Sequence, residues 1–174
     1  HSPVTIADMR ADEIIRAGLL DMTPDIPVVT EETVHLVDHT ALIAVPHYWL
    51  VDGLDGTEAF AKGDPDFTVN IALIDMQRPV LGVIYAPALG EGYAGVVGDD
   101  PRATRWQDDQ TDDQETTVRS LPHKGLTLVT STTQIQNPHV IQLMDRIKMN
   151  KHLKRHSSIK FCDIAAGRAD VMVV

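Results

Sequence analysis

The stretch Trp49-Leu50-Val51-Asp52-Gly53-Leu54-Asp55-Gly56-Thr57 carries an apolar run straight into two aspartates three positions apart, then a glycine and a hydroxyl. Tyr48–Val51 reads as a short strand, and Thr57–Lys62 as a short helix ended by Gly63. Where a strand leaves its ladder, side chains and carbonyls can converge on one point. Two carboxylates and the Leu54 carbonyl would make a hard-oxygen site suited to Mg²⁺. Gly56 would let an anion approach the free N–H groups that open the following helix. A cation site beside such a turn is what phosphate-ester hydrolysis needs. Taken alone, the same residues also read as an Asp-Gly turn with a helix cap at Asp55 or Thr57.

Two neighbouring segments favour the first reading. Ile26-Pro27-Val28-Val29-Thr30-Glu31-Glu32 is another apolar run ending in acids, with its strand expected over Pro27–Thr30. Ser2-Pro3-Val4-Thr5-Ile6-Ala7-Asp8 places a hydroxyl and a carboxylate at the start of a helix expected over Ala7–Leu20. Carboxylates gathered at element ends repel one another unless a cation balances them.

Further out, Thr68–Asp75 and Val80–Ala86, separated by Met76-Gln77-Arg78-Pro79, read as an antiparallel hairpin, with a third strand near Gly92–Val97. Residues 99 to 115 hold seven acids and two arginines, half of the formal net charge of -10. With no apolar periodicity, that segment reads as a solvated loop or linker. The following pattern is strand Leu126–Ser131, helix Pro138–Lys148, helix Ser157–Gly167 and strand Ala169–Val174. The basic block Arg146–Lys160, six Lys/Arg and no acid, reads as a helix end and loop. The early part is thus α+β and antiparallel, and the late part alternates strand and helix. The expected architecture is a layered α+β and α/β sandwich. An α+β unit over residues 1–120 ends in the acidic linker, and an α/β unit spans 121–174.

Composition limits the function classes. The chain has 174 residues, 43% of them hydrophobic, enough for a core and against wholesale disorder. Its acidic balance argues against a partner such as a nucleic-acid polymer. No apolar run is long enough to be a transmembrane segment, and no leader pattern opens the sequence. The single cysteine, Cys162, fits a reducing compartment and reads as a small buried apolar residue. Among eight histidines only His35 and His39, four apart, approach metal-ligand spacing, and a zinc site there is not expected.

Taken in order, these motifs resemble the lithium-sensitive, Mg²⁺-dependent phosphatases that include inositol monophosphatase and fructose-1,6-bisphosphatase. The branch most similar is the 3′(2′),5′-bisphosphate nucleotidases of the CysQ type. Ser2–Asp8, Thr30-Glu31-Glu32 and Trp49–Phe60 carry the likeness, with Gly53 where that branch has proline. Phe67–Ile74, Pro79–Ala88, Ser157-Ser158-Ile159-Lys160-Phe161-Cys162 and Ala166–Asp170 extend it. The resemblance implies a sugar-phosphatase fold and two or three Mg²⁺ ions, with inhibition by Li⁺. It implies metal binding by Glu31, Asp52, Asp55 and the Leu54 carbonyl. It further implies that Leu54, Asp55, Gly56 and Thr57 hold the scissile phosphate. Asp8, Thr57 and Glu31 would be catalytic, the first two orienting and deprotonating the attacking water. Ser157 and Lys160, expected on one helix face, would contact a small phosphorylated nucleotide.

The implied reaction is removal of the 3′-phosphate of adenosine 3′,5′-bisphosphate (PAP to AMP), with the sulfated analogue PAPS as a further substrate, in sulfur assimilation. The protein would be cytoplasmic, a monomer or homodimer. Rival readings are an inositol or fructose phosphatase on the same fold, and an inactive truncated family member. The family carries a helix before the Ser-Pro-Val-Thr segment and a later Trp-Asp metal ligand; neither occurs in these 174 residues, so the N-terminal helix and C-terminal part of the family fold are read as missing, in either a truncated member or a piece of a longer protein. Thr133-Gln134 stands where nucleotidases often show Ser-His. A haloacid-dehalogenase reading of Asp55-Gly56-Thr57 requires a nucleophilic aspartate two residues earlier, where Gly53 stands.

Overall fold

The computed structural model describes residues 5–131 and 134–173. Ser2, Pro3, Val4, Thr133 and Val174, which enter the motifs above, lie outside the described residues. So does the side chain of His39, and with it the histidine pair.

Helix α1 (Ile6–Met22) starts on a capping box. The Thr5 hydroxyl accepts from the Ala7 N–H at 3.2 Å, and Asp8 Oδ2 accepts from the Thr5 N–H at 2.8 Å. Two orphan amides of the first turn are thereby satisfied. At the other end the Thr23 N–H closes on the Leu19 carbonyl at 2.8 Å. The indole N–H of Trp49 donates to the Thr23 hydroxyl at 2.9 Å and ties that end to the sheet beneath. Ile15 and Leu19 pack on Trp49 and Val51, with Ile71, Leu73 and Leu81 beside them. Each large side chain buried there contributes about 1.5–3 kcal/mol.

The sheet has seven strands in sequence order: β1 (Val28–Thr30), β2 (His47–Asp55), β3 (Thr68–Asp75), β4 (Arg78–Ala86), β5 (Glu91–Val96), β6 (Arg102–Gln107) and β7 (Gln114–Glu115). β1 runs parallel to β2, and every later pairing is antiparallel. Helix α2 (His39–Ala44) and helix α3 (Thr57–Ala61) flank β2. Tyr48, Ile74 and Val29 form a second core patch, joined by Val34, Val37 and Leu42 from the segment around α2.

A smaller parallel sheet follows, in the order β10 (Val171–Val173), β8 (Leu126–Thr130), β9 (Met149–Lys154). Helix α4 (Pro138–Arg146) connects β8 to β9, and helix α5 (Ile159–Ala165) connects β9 to β10. Ile159 and Cys162 of α5 pack on Ala86 and Tyr93 of the large sheet, so α5 joins the two sheets.

Four expectations are corrected. The acidic segment 99–115 is not a featureless linker: β6 and β7 lie within it. Its acids sit mainly at the turns, while Trp106 lies over Gly92, where an added Cβ would stand only 2.0 Å from the indole. The mixed composition hid this strand, because Trp106 needs that glycine opposite and no local pattern announces the pairing. The basic block contains β9, an edge strand with exposed lysines, which keep such an edge from pairing further. The β3–β4 hairpin turns on Met76-Gln77 alone, both at positive φ, and Arg78 and Pro79 already belong to β4. Finally, α5 starts at Ile159 and not at Ser157, so Ser157 and Lys160 do not share a helix face.

Candidate functional site

β2 carries both motif aspartates inside the sheet. Asp52 pairs with Asn70 and Asp55 with Thr68, so three steps along β2 face two along β3. In a regular strand, residues three apart point to opposite faces; the extra residue of this bulge turns Asp55 toward the side already occupied by Asp52. The Leu54 N–H donates to Asp52 Oδ1 at 3.0 Å and pins the bulge. Gly53 lies on the opposite face against α1, where a Cβ would meet Ala11 Cβ and the Asp12 amide nitrogen, each at 3.2 Å.

Glu31 extends the β1 ladder: its N–H donates to the Val51 carbonyl at 3.1 Å, which sets it beside Asp52. The turn beyond is locked by reciprocal bonds between Thr30 and Thr33, each backbone N–H donating to the other's hydroxyl at 3.1 and 3.2 Å. Gly56, at φ +93, takes the left-handed turn that starts α3. The Thr57 hydroxyl, buried, lies 3.0 Å from Asp8 Oδ1 and 3.2 Å from the Leu54 carbonyl. Asp8 is thus both helix cap and partner of Thr57: one oxygen serves each task.

Glu31, Asp52, Leu54, Asp55, Gly56 and Thr57 line one cavity of about 270 Å³, together with His156 and Ser157. Burial pushes Asp52 up to about 6, with the charges of Asp55, Glu31 and Asp8 adding to it and the Leu54 amide opposing. Glu32 is raised as well, by burial first and then by Asp8, Glu31 and Asp12. Carboxylates from three elements therefore act on one another across a small space.

Among the described residues, no three His, Cys, Asp or Glu side chains stand close enough together to hold a metal ion as they are. The donor chemistry nonetheless fits a hard divalent cation. Glu31, Asp52 and Asp55 bring carboxylate oxygens to the cavity lining and Leu54 a carbonyl, and the repulsion felt at Asp52 is of the kind a cation relieves.

Ser157 lines the cavity, at φ +48, on the turn before α5. Lys160 does not line it. The lysine is buried, its ammonium donates to the Ser157 carbonyl at 2.6 Å, and burial draws its pKa down against the pull of Asp55 and Asp66. The serine that reaches the aspartates is Ser158, whose hydroxyl donates to Asp55 Oδ2 at 2.7 Å. Ser158, Glu32, His156, Asp66 and Asp12 are the residues at or near the site that the motif reading did not assign. Ser158 and Glu32 sit inside the quoted motifs and were open to notice. Asp66 reaches its partners at a sequence separation of about ninety residues, which no local pattern announces.

Comparison with known proteins places the chain in a family. The sequence model described as "Inositol monophosphatase family" matches residues 1–174. The 3′(2′),5′-bisphosphate nucleotidase CysQ of Salmonella typhimurium is 37% identical over 173 residues, covering 98% of this chain and 65% of that protein. The Escherichia coli K12 counterpart is 35% identical over 174 residues, again with 65% of its length covered. This chain thus spans about two thirds of the length of these relatives. The crystal structure of CysQ from Bacteroides thetaiotaomicron superposes with a TM-score of 0.81 at 32% identity, over 99% of this chain and 67% of that one. SuhB of Mycobacterium tuberculosis, 20% identical with a TM-score of 0.75, shares the fold. Among the described residues, no helix is long and apolar enough to cross a membrane. With that family's sequence model matched over residues 1–174, the chain belongs to the inositol monophosphatase family.

Proposed function

We propose that this chain forms the metal- and phosphate-binding part of a Mg²⁺-dependent phosphomonoesterase that removes the 3′-phosphate of adenosine 3′,5′-bisphosphate, with the sulfated analogue as a further substrate. The observation that carries the reading is the Asp8–Thr57 hydrogen bond beside the Asp52/Asp55 bulge, in a chain 35–37% identical to CysQ nucleotidases. In this reading residues 1–120 supply the metal and phosphate ligands, and residues 121–174 supply the wall that meets the nucleotide.

Bound Mg²⁺ would be held by Glu31, Asp52, Asp55 and the Leu54 carbonyl, and would polarise the phosphoryl group and acidify water. The rest falls to the chain. Gly56 and the first amides of α3 face the phosphoryl oxygens. Thr57 passes the proton of the attacking water toward Asp8, whose Oδ1 lies 3.0 Å away. Asp8 keeps its other oxygen in the helix cap and so stays fixed in direction. Ser157 borders the cavity where the nucleotide would extend. Two or three ions, inhibition by Li⁺, a role in sulfur assimilation, a cytoplasmic setting and a monomer or homodimer belong to the same proposal and rest on the family likeness.

A substrate panel on the full-length protein tests it. Adenosine 3′,5′-bisphosphate is expected to be hydrolysed with a kcat/KM at least tenfold above inositol 1-phosphate and fructose 1,6-bisphosphate. Preference for either sugar phosphate would replace the nucleotide reading.

A further inference from the structure

The segment Arg155–Ser158 lies as a strap against the turn Asp55–Thr57, and its anchors come from across the molecule. Asp66, buried, accepts from Arg155 Nη1 at 2.8 Å through Oδ1 and from the His156 N–H at 3.2 Å through Oδ2. Arg155 also donates through Nε to Asp163 Oδ2 at 3.1 Å, and Asp163 is fully buried in α5. Arg168 continues the chain of charges, donating to Asp163 Oδ1 at 2.6 Å and to Glu91 at 2.5 Å. The backbone is equally close. A Cβ on Gly56 would meet the Asp66 carbonyl oxygen and Ser157 Cβ, each at 3.1 Å. Within the strap, Ser157 holds a left-handed conformation, its carbonyl taken by the Lys160 ammonium at 2.6 Å. The next residue, Ser158, reaches Asp55 Oδ2 at 2.7 Å.

We propose that Asp66 is a positioning residue: with Arg155 it holds the strap against the Gly56 turn, so that Ser158 fixes one oxygen of Asp55 and leaves the other aimed at the cation. The geometry explains why an aspartate is needed there. Its two oxygens accept from a guanidinium and from a backbone amide at once, and asparagine can accept with only one. It also explains the buried lysine, which holds the strained Ser157 carbonyl in place. The inference rests on Asp55 being a metal ligand, which is part of the functional reading.

The test compares Asp66→Asn, Ser158→Ala and the double variant in the full-length protein. Amide hydrogen exchange over residues 155–160 and Mg²⁺ affinity by calorimetry are the readouts, with a thermal melt to confirm folding. Asp66→Asn should speed exchange of the strap amides about tenfold and weaken Mg²⁺ about fivefold, as loss of one charge-assisted contact does. Ser158→Ala should weaken Mg²⁺ to a similar extent, and the double variant should be no weaker than the poorer single one, since both act through the same contact. Unchanged exchange, an unchanged Mg²⁺ affinity in a folded Asp66→Asn protein, or additive losses would overturn the proposal. A wild type that binds Mg²⁺ but hydrolyses no bisphosphate would end the functional reading and leave this test standing. A wild type that binds no Mg²⁺ would end the metal reading, and the exchange rates alone would then decide the strap.

Discussion

Asp8 Oδ1 and the Thr57 hydroxyl stand 3.0 Å apart although 49 residues separate them, and the other oxygen of the same carboxylate caps α1. One side chain thereby ties the first turn of α1 to the first turn of α3. Thr57→Val should therefore lower kcat by about 10²–10⁴-fold, the range of a lost proton relay. It should also cost about 1–3 kcal/mol, because Asp8 Oδ1 is left without a donor in a buried place. Thr57→Ser keeps the hydroxyl and should retain most activity. Steady-state kinetics and urea melts on the same preparations separate the two effects.

Asp52 gives a pH signature. Its pKa is pushed up to about 6 in the folded, metal-free chain, from an ordinary 3.8. A carboxyl raised on folding stabilises the fold in its protonated form. That contribution is complete below pH 4 and is lost as pH rises through 6. Metal-free protein should lose on the order of 1–2 kcal/mol from this group between pH 4 and pH 7. Asp52→Asn should remove that slope and melt above wild type at pH 7 in chelator. Mg²⁺ requires the ionised form, so its affinity in wild type should fall as pH drops below 6. Melts in chelator and calorimetry across this range check both signs.

The sequence made the bulk of the large sheet legible, and the reasons are local. Capping residues sit at Thr5 and Asp8, two apolar runs end in acids, and the β3 and β4 apolar runs are split by a short polar turn. The aspartate pair was legible as a candidate site, but the means of joining it was not. Residues three apart on a strand diverge, and only the bulge against Asn70 and Thr68 brings them to one side. β6 was hidden because its strand face is built on Gly92 and Trp106, fourteen positions apart in two unremarkable contexts. The shared helix face expected for Ser157 and Lys160 is absent for a related reason. A three-residue spacing predicts a shared helix face only if the helix has begun, and here it begins at Ile159. The strap's long-range anchor, Asp66 with Arg155, is a tertiary ion pair without sequence periodicity.

Gly53 is predicted to be intolerant of added volume. Gly53→Ala should cost about 1 kcal/mol and Gly53→Val about 2–3 kcal/mol, since the new atoms press on Ala11 and the Asp12 backbone rather than on flexible side chains. Chemical denaturation measures this directly, with unchanged strand content by circular dichroism as the control.

Cys162 is buried against Ala86, Tyr93 and Ile159, and burial, with the charge of Glu91 adding to it, pushes its thiol up to about 12. Thiolate is the reactive form, so native protein at pH 8 should leave an aromatic disulfide reagent unconsumed over hours. The 174-residue chain unfolded in guanidinium should consume one equivalent within minutes. Rapid reaction of the native thiol would show that α5 does not pack on the large sheet as described.

The central claim is that Asp55, turned inward by the bulge, binds the cation that drives phosphate-ester hydrolysis. Its most direct test is phosphate release from adenosine 3′,5′-bisphosphate by full-length wild type and Asp55→Asn, each with Mg²⁺ and with chelator. The prediction is release that requires Mg²⁺ in wild type and falls at least about 10²-fold in Asp55→Asn. Release that persists in chelator, or that survives the Asp55→Asn change undiminished, would contradict it.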